Sequence, residues 1–153
     1  MIASTPGMET MNDHRSAPLQ HVTNAIIERF DQVGSARDQA VTQGRQVVRL
    51  AANAVRAMHR DAFAEAEGLL QDASALLSQI RVVTGPFPAV YWAGYVQDAM
   101  KEYAEAELTR AMLRNEPLPD PRALYVEDGA WLNGLAEAAS ELRRDTLDAL
   151  RAN

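Results

Sequence analysis

Four stretches of the chain repeat apolar residues at helical spacing. In the first, Val22, Ile26, Phe30, Val33, Ala40, Val47, Ala51, Val55 and Met58 fall on one stripe, which predicts a helix from Val22 to about Arg60. Gly34 and Gly44 weaken it slightly and can bend it. In the second, Phe63, Ala66, Leu69, Leu70, Ala73, Leu76, Leu77 and Ile80 share a face, so a helix is expected from about Asp61 to Val83. The run Thr84-Gly85-Pro86-Phe87-Pro88 stops it. A third helix is expected over about Ala89 to Arg114, ahead of Pro117, Pro119 and Pro121. The last runs from about Gly129 to Arg151, with Trp131, Leu135, Ala139, Leu142, Thr146 and Leu150 inward. Short connections make these an antiparallel helical bundle. Residues 1–20 carry no periodicity and read as a disordered tail, leaving residues 21–153 as one helical domain without internal repeats.

Composition sharpens the class. The chain has 153 residues, 47% apolar, which suits a single core. Alanine and leucine dominate, and β-branched runs are few and short, as at Val47-Val48 and Val82-Val83-Thr84, so the class is all-α. No cysteine is present, which removes disulfides, thiolate zinc sites and cysteine nucleophiles. No apolar run is long enough to span a membrane, and the first twenty residues lack a signal-peptide stretch. A cytoplasmic protein is the simplest reading. Of the histidines, His14 and His21 lie in or near the tail, and His59 alone cannot make a metal cluster. There is no Gly-rich phosphate loop after a strand and no Gly-x-Ser-x-Gly. Trp92, Tyr95, Tyr103 and Trp131 can stack bases, but among apolar residues at helical spacing they read first as core.

A net charge of −6 argues against indiscriminate nucleic-acid binding. Yet residues 39–60 hold Arg45, Arg49, Arg56 and Arg60 and no acidic residue. Spacings of 4, 7 and 4 put the arginines within an arc of about 60°, away from the apolar stripe. Asn53 lies beside the arc and His59 just off it. Such a line of guanidinium groups can follow a sugar–phosphate backbone. The alternative is a solvated face paired with Asp61, Glu65 and Glu67 of the next helix.

Carboxylates also pair. Glu102 and Glu105 lie i, i+3 on the third helix, with Asp98 on the same face; Glu137 and Glu141 lie i, i+4 on the last. If the two helices pack side by side, four carboxylates converge on a hard divalent cation such as Mg²⁺ or Mn²⁺. A cation held this way activates water and neutralises charge on a phosphate being cleaved. The alternative is two ordinary exposed glutamate pairs. No Glu-x-x-His accompanies them, which argues against a di-iron bundle.

Three segments, in order, resemble the translin family. Gly94-Tyr95-Val96-Gln97-Asp98-Ala99-Met100-Lys101-Glu102-Tyr103-Ala104-Glu105-Ala106 is similar to the central helix of translin-associated factor X and its prokaryotic relatives, in which Glu-Tyr-x-Glu-Ala is the most recognisable part. Gly134-Leu135-Ala136-Glu137-Ala138-Ala139-Ser140-Glu141-Leu142-Arg143-Arg144 resembles the later helix, and Arg56-Ala57-Met58-His59-Arg60 the first hairpin. The resemblance covers about residues 40–150. It implies a translin-like all-α fold, a hollow homo-oligomer enclosing nucleic acid and, for the nuclease-type subunit, cation-dependent cleavage of single-stranded RNA. The family's catalytic carboxylates map onto Glu102, Glu105 and Glu137, with Glu141 beside them as a further ligand. Glu137 stands where the eukaryotic factor has Asp. Family members continue past the position of Arg151 with a further helical pair, and without it part of an apolar face is left for self-association to cover. The leading expectation is an endoribonuclease using Mg²⁺ or Mn²⁺ on Glu102, Glu105, Glu137 and Glu141. In it, Arg45, Arg49, Arg56, His59 and Arg60 hold single-stranded RNA or DNA. Its rival is a non-catalytic single-strand-binding oligomer or helical scaffold.

Overall fold

The computed structural model describes residues 10–152, and among them there is no strand. The elements are α1 (Thr10–Met58), α2 (Phe63–Thr84), α3 (Pro88–Tyr91), α4 (Gly94–Leu113), α5 (Pro121–Leu124) and α6 (Asp128–Ala152). The all-α bundle expected from periodicity is the architecture found. Local chemistry explains the breaks. Asp61 takes φ 58°, so α2 starts two residues later than expected, at Phe63. Pro88 opens α3, and extended Ala93 separates α3 from α4, so the expected third helix is two. Asp120 caps α5, its carboxylate accepting from the Ala123 amide at 2.7 Å.

The helix α1 starts at Thr10 and passes through Pro18, where a tail was expected as far as residue 20. Residues 1–9 lie outside the described part. The chain divides at Ser35 into two units. In the first, Val22, Ile26, Phe30 and Val33 are exposed rather than facing a core, Phe30 by 72%. The second unit, from Ala36 onward, contains the core.

That core is built from small residues. Ala40, Val47, Ala51, Ala54 and Met58 of α1 are buried with Leu70, Leu77 and Ile80 of α2 and Val96, Met100 and Tyr103 of α4. Small side chains let helix backbones approach. At Gly44, an added Cβ would lie 3.4 Å from the Tyr95 carbonyl oxygen, so α1 meets α4 there. At Gly134, a Cβ would lie 2.8 Å from both the Glu105 amide nitrogen and the Lys101 carbonyl oxygen. Glycine is therefore required for α6 to touch the α4 main chain. This contact corrects the expected inner face of α6. Ala130, Gly134 and Ala138 are buried, Trp131, Leu135 and Leu142 are half-buried, and Ala139 and Thr146 are exposed. The narrow side of α6 packs because the gap is too small for the large side chains. The side chain of Leu150 lies outside the described residues.

The aromatic residues divide likewise. Tyr103 is buried, and Trp131 is half-buried with its indole donating to the Pro119 carbonyl at 2.9 Å. Trp92 is exposed, against the core reading, and meets Tyr91 edge-on at 5.2 Å. Between α5 and α6, Tyr125 holds φ 54°, a left-handed conformation unusual outside glycine. Arg81 at the end of α2 secures it, donating to the Tyr125 carbonyl and lying 5.0 Å over its ring. No helix among the described residues is long and apolar enough to cross a membrane.

Candidate carboxylate centre and arginine face

The contact at Gly134 sets the site. One turn further along α6, Glu137 comes opposite Glu102 and Glu105 of α4. One oxygen from each of the three lies within 4.8 Å of the others. Spacing alone left open whether the pairs face each other; across the α4–α6 contact, three of the four residues do. Glu141 takes another place. Its carboxylate is hydrogen-bonded to His59 Nε2 at 2.9 Å. It still shares a hollow of about 230 Å³ with Glu102 and Glu105, walled by Val55, Arg56 and His59.

Lys101 was missed as a site residue. Its Nζ lies 2.9 Å from Glu102, 3.0 Å from Glu137 and 3.4 Å from Asp98. Burial disfavours its charge, but hydrogen bonds to Glu102 and Glu137 outweigh that and raise its pKa. It is the chain's single lysine among 15 basic residues, and its position between Asp98 and Glu102 on one helix was the signal available. Glu105 behaves differently. Burial, then a hydrogen bond with Glu137 and the charges of Glu102 and Glu137, push its carboxyl up from 4.5 to about 7. Glu105 thus keeps its proton well above the usual carboxylate range.

The donor set suits a hard cation. All three ligand groups are carboxylates, and Mg²⁺ takes oxygen at about 2.1 Å, so opposite ligands sit about 4.2 Å apart. Oxygens spread over 4.8 Å need only small side-chain rotations to reach that spacing. Binding would also require Lys101 to release Glu102 and Glu137, and Glu105 to give up its proton.

The arginine face splits in two. Arg45 and Arg49 are exposed, and neither has a side-chain partner among the described residues. Arg56 donates to Asn53 at 2.5 Å, and Arg60 to the Arg56 carbonyl at 3.1 Å and to Glu65 at 3.4 Å. Glu67 pairs instead with Arg114. The expected pairing with the next helix therefore holds only at Arg60, between two exposed side chains, where it contributes little.

No protein-family model and no curated protein matches the chain. Among solved structures, the crystal structure of apo-NeC3PO is similar, with a TM-score of 0.73 at 16% identity over 99% of this chain and 73% of that one. At this identity the likeness is one of fold. It agrees with the resemblance carried by the three sequence segments: the chain has the helical fold of the translin and C3PO proteins.

Proposed function

We propose that the protein binds single-stranded nucleic acid and cleaves RNA with a divalent cation held by Glu102, Glu105 and Glu137. The observation that carries this reading is the convergence of those carboxylates from two helices, beside a hollow that also contains Arg56 and His59. When bound, Mg²⁺ or Mn²⁺ would supply an activated water and neutralise charge on the phosphate. The chain's own groups do the rest. Arg45 and Arg49 are free to hold phosphates of the strand without regard to sequence. Arg56 steadies the phosphate beside the carboxylates. His59, oriented by Glu141 at 2.9 Å, is placed to pass a proton to a departing oxygen. Likeness to a C3PO protein supports a homo-oligomer, as does the exposed apolar stripe of Val22, Ile26 and Phe30.

One observation favours a second reading. Lys101 already compensates Glu102 and Glu137, so the cluster can persist without a cation in a protein that only binds. Incubation of a fluorescent single-stranded RNA with purified protein, in Mn²⁺ or Mg²⁺ and in chelator, separates the two. Cleavage that needs the ion and disappears in the Glu102→Gln/Glu105→Gln variant is expected. Salt-sensitive retention without cleavage would leave the binding protein, and full cleavage by the double variant would refute the assignment.

A further inference from the structure

A larger hollow, about 480 Å³, opens between α1 and α4 on the N-terminal side of the carboxylates. Its walls mix three kinds of surface. Val41 and Val48 of α1 and the half-buried ring of Tyr95 on α4 are apolar. Arg37 and Arg45, two turns apart on α1, flank them, and Asp98 lies on the α4 side. Neither guanidinium and no Tyr95 hydroxyl has a hydrogen-bond partner among the described residues. Asp98 is engaged through Oδ1, with Lys101 at 3.4 Å.

This arrangement matches one ligand chemistry. An aromatic face with aliphatic walls accepts a planar base, and unpaired arginines beside it accept the phosphates on either side of that base. A carboxylate within the hollow repels phosphate but accepts from an exocyclic amino group. The hollow is also in line with the carboxylate centre. Tyr95 and Glu102 are seven residues apart on α4, two turns on the same face and about 10 Å along the axis, which is about three nucleotides of a stacked strand. Gly44, against the Tyr95 carbonyl, keeps the two helices close at this point.

We infer that this hollow is a base-binding subsite for the same single strand. It stacks a base on Tyr95, holds the flanking phosphates with Arg37 and Arg45, and prefers a base carrying an amino group, cytosine or adenine over uracil, through Asp98. The inference rests on the proposed single-strand binding, and the two can fail separately.

The test is equilibrium binding of labelled ribo-oligonucleotides (oligo-C, oligo-A and oligo-U) to the full chain in chelator, read by fluorescence anisotropy. Tyr95→Leu keeps apolar bulk and removes stacking; affinity for oligo-C should fall about five- to a hundred-fold, the range measured for one stacked base. Asp98→Asn should bring oligo-C and oligo-U to within about twofold of each other, from a wild-type preference of about tenfold. Urea denaturation of both variants checks that they fold, with Tyr95→Phe as the stacking-competent control. If every oligonucleotide binds, and equally well to wild type and Tyr95→Leu, the subsite is wrong while the binding reading stands. If no oligonucleotide binds at low salt, both are wrong. If Tyr95→Leu instead changes the oligomer mass by sedimentation, with no effect on base preference, the hollow seats a second copy of the chain and the subsite is overturned.

Discussion

Replacing Gly134 by alanine should damage both the fold and the carboxylate centre. The new Cβ would lie 2.8 Å from the Glu105 amide nitrogen and the Lys101 carbonyl oxygen, and 3.1 Å from the Ala104 Cβ, where ordinary contact begins at 3.4 Å. The first two are main-chain atoms of a helix and cannot rotate away, so α6 must retreat by about half an ångström. Overpacking of this kind costs about 1–3 kcal/mol. Alanine returns about 1 kcal/mol through its better helix propensity, so a net loss of up to about 2 kcal/mol is expected. Gly68 on α2 is the control, because it is exposed and a Cβ there meets nothing within 4 Å. Gly68→Ala should gain up to about 1 kcal/mol from propensity alone. Urea denaturation of the two variants should therefore differ in sign. The retreat also draws Glu137 away from Glu105. The Glu105 carboxyl, pushed up to about 7 by burial and by that hydrogen bond, should then titrate lower, as followed by side-chain NMR shifts. If Gly134→Ala stabilises the protein as much as Gly68→Ala does, backbone contact between α4 and α6 is not what holds the site together.

Three further outcomes follow from the same geometry. The fold raises the Glu105 pKa from 4.5 to about 7, so its stabilisation of the folded chain is complete below about pH 4.5 and is lost as pH rises through about 7. In chelator the urea midpoint should fall between pH 5 and pH 8, and Glu105→Gln, permanently neutral, should fall less; equal declines would refute this. Lys101→Met removes a cation within 3.0 Å of Glu102 and Glu137, so calorimetric titration should find Mn²⁺ bound about tenfold more tightly, and weaker binding would mean that Lys101 positions the ligands rather than competing for them. For single-strand binding, each arginine on phosphate adds about 0.7 to the slope of log affinity against log salt; Arg45→Gln/Arg49→Gln should reduce that slope by about 1.4, and an unchanged slope would remove both residues from the strand path.

The helices were legible because periodicity reports which residues are buried, whatever buries them. The limits of that signal lie where apolar residues are not buried. Val22, Ile26 and Phe30 continue the stripe of α1 but stay exposed, while the buried length of the helix begins among the alanines from Ala36 onward. On α6 the inner face follows Ala130, Gly134 and Ala138 rather than the larger residues, because the distance between helices, invisible in one strand of text, decides which side fits. The site was legible to the same depth. Local spacing placed Glu102 beside Glu105, but the approach of Glu137 depends on the distant contact of Gly134 with the main chain of Lys101 and Glu105. The bridge from Lys101 to Glu137 depends on it too, and the His59–Glu141 pair joins the turn after α1 to α6 across 82 residues of chain. Charge type could be read along the chain, but which charges meet required the packing of small residues that carry no charge at all.

The contact between Arg81 and Tyr125 has a consequence for that packing. Tyr125 precedes the start of α6 by three residues, and its left-handed turn fixes the direction of the chain just ahead of that helix. Each residue of helix carries about 100° of rotation, so a slip of one residue in where α6 begins would carry Glu137 off the α4 side. The register that lets Gly134 meet α4, and Glu137 meet Glu105, is thus braced from the far end of α2, by a guanidinium resting on a tyrosine ring.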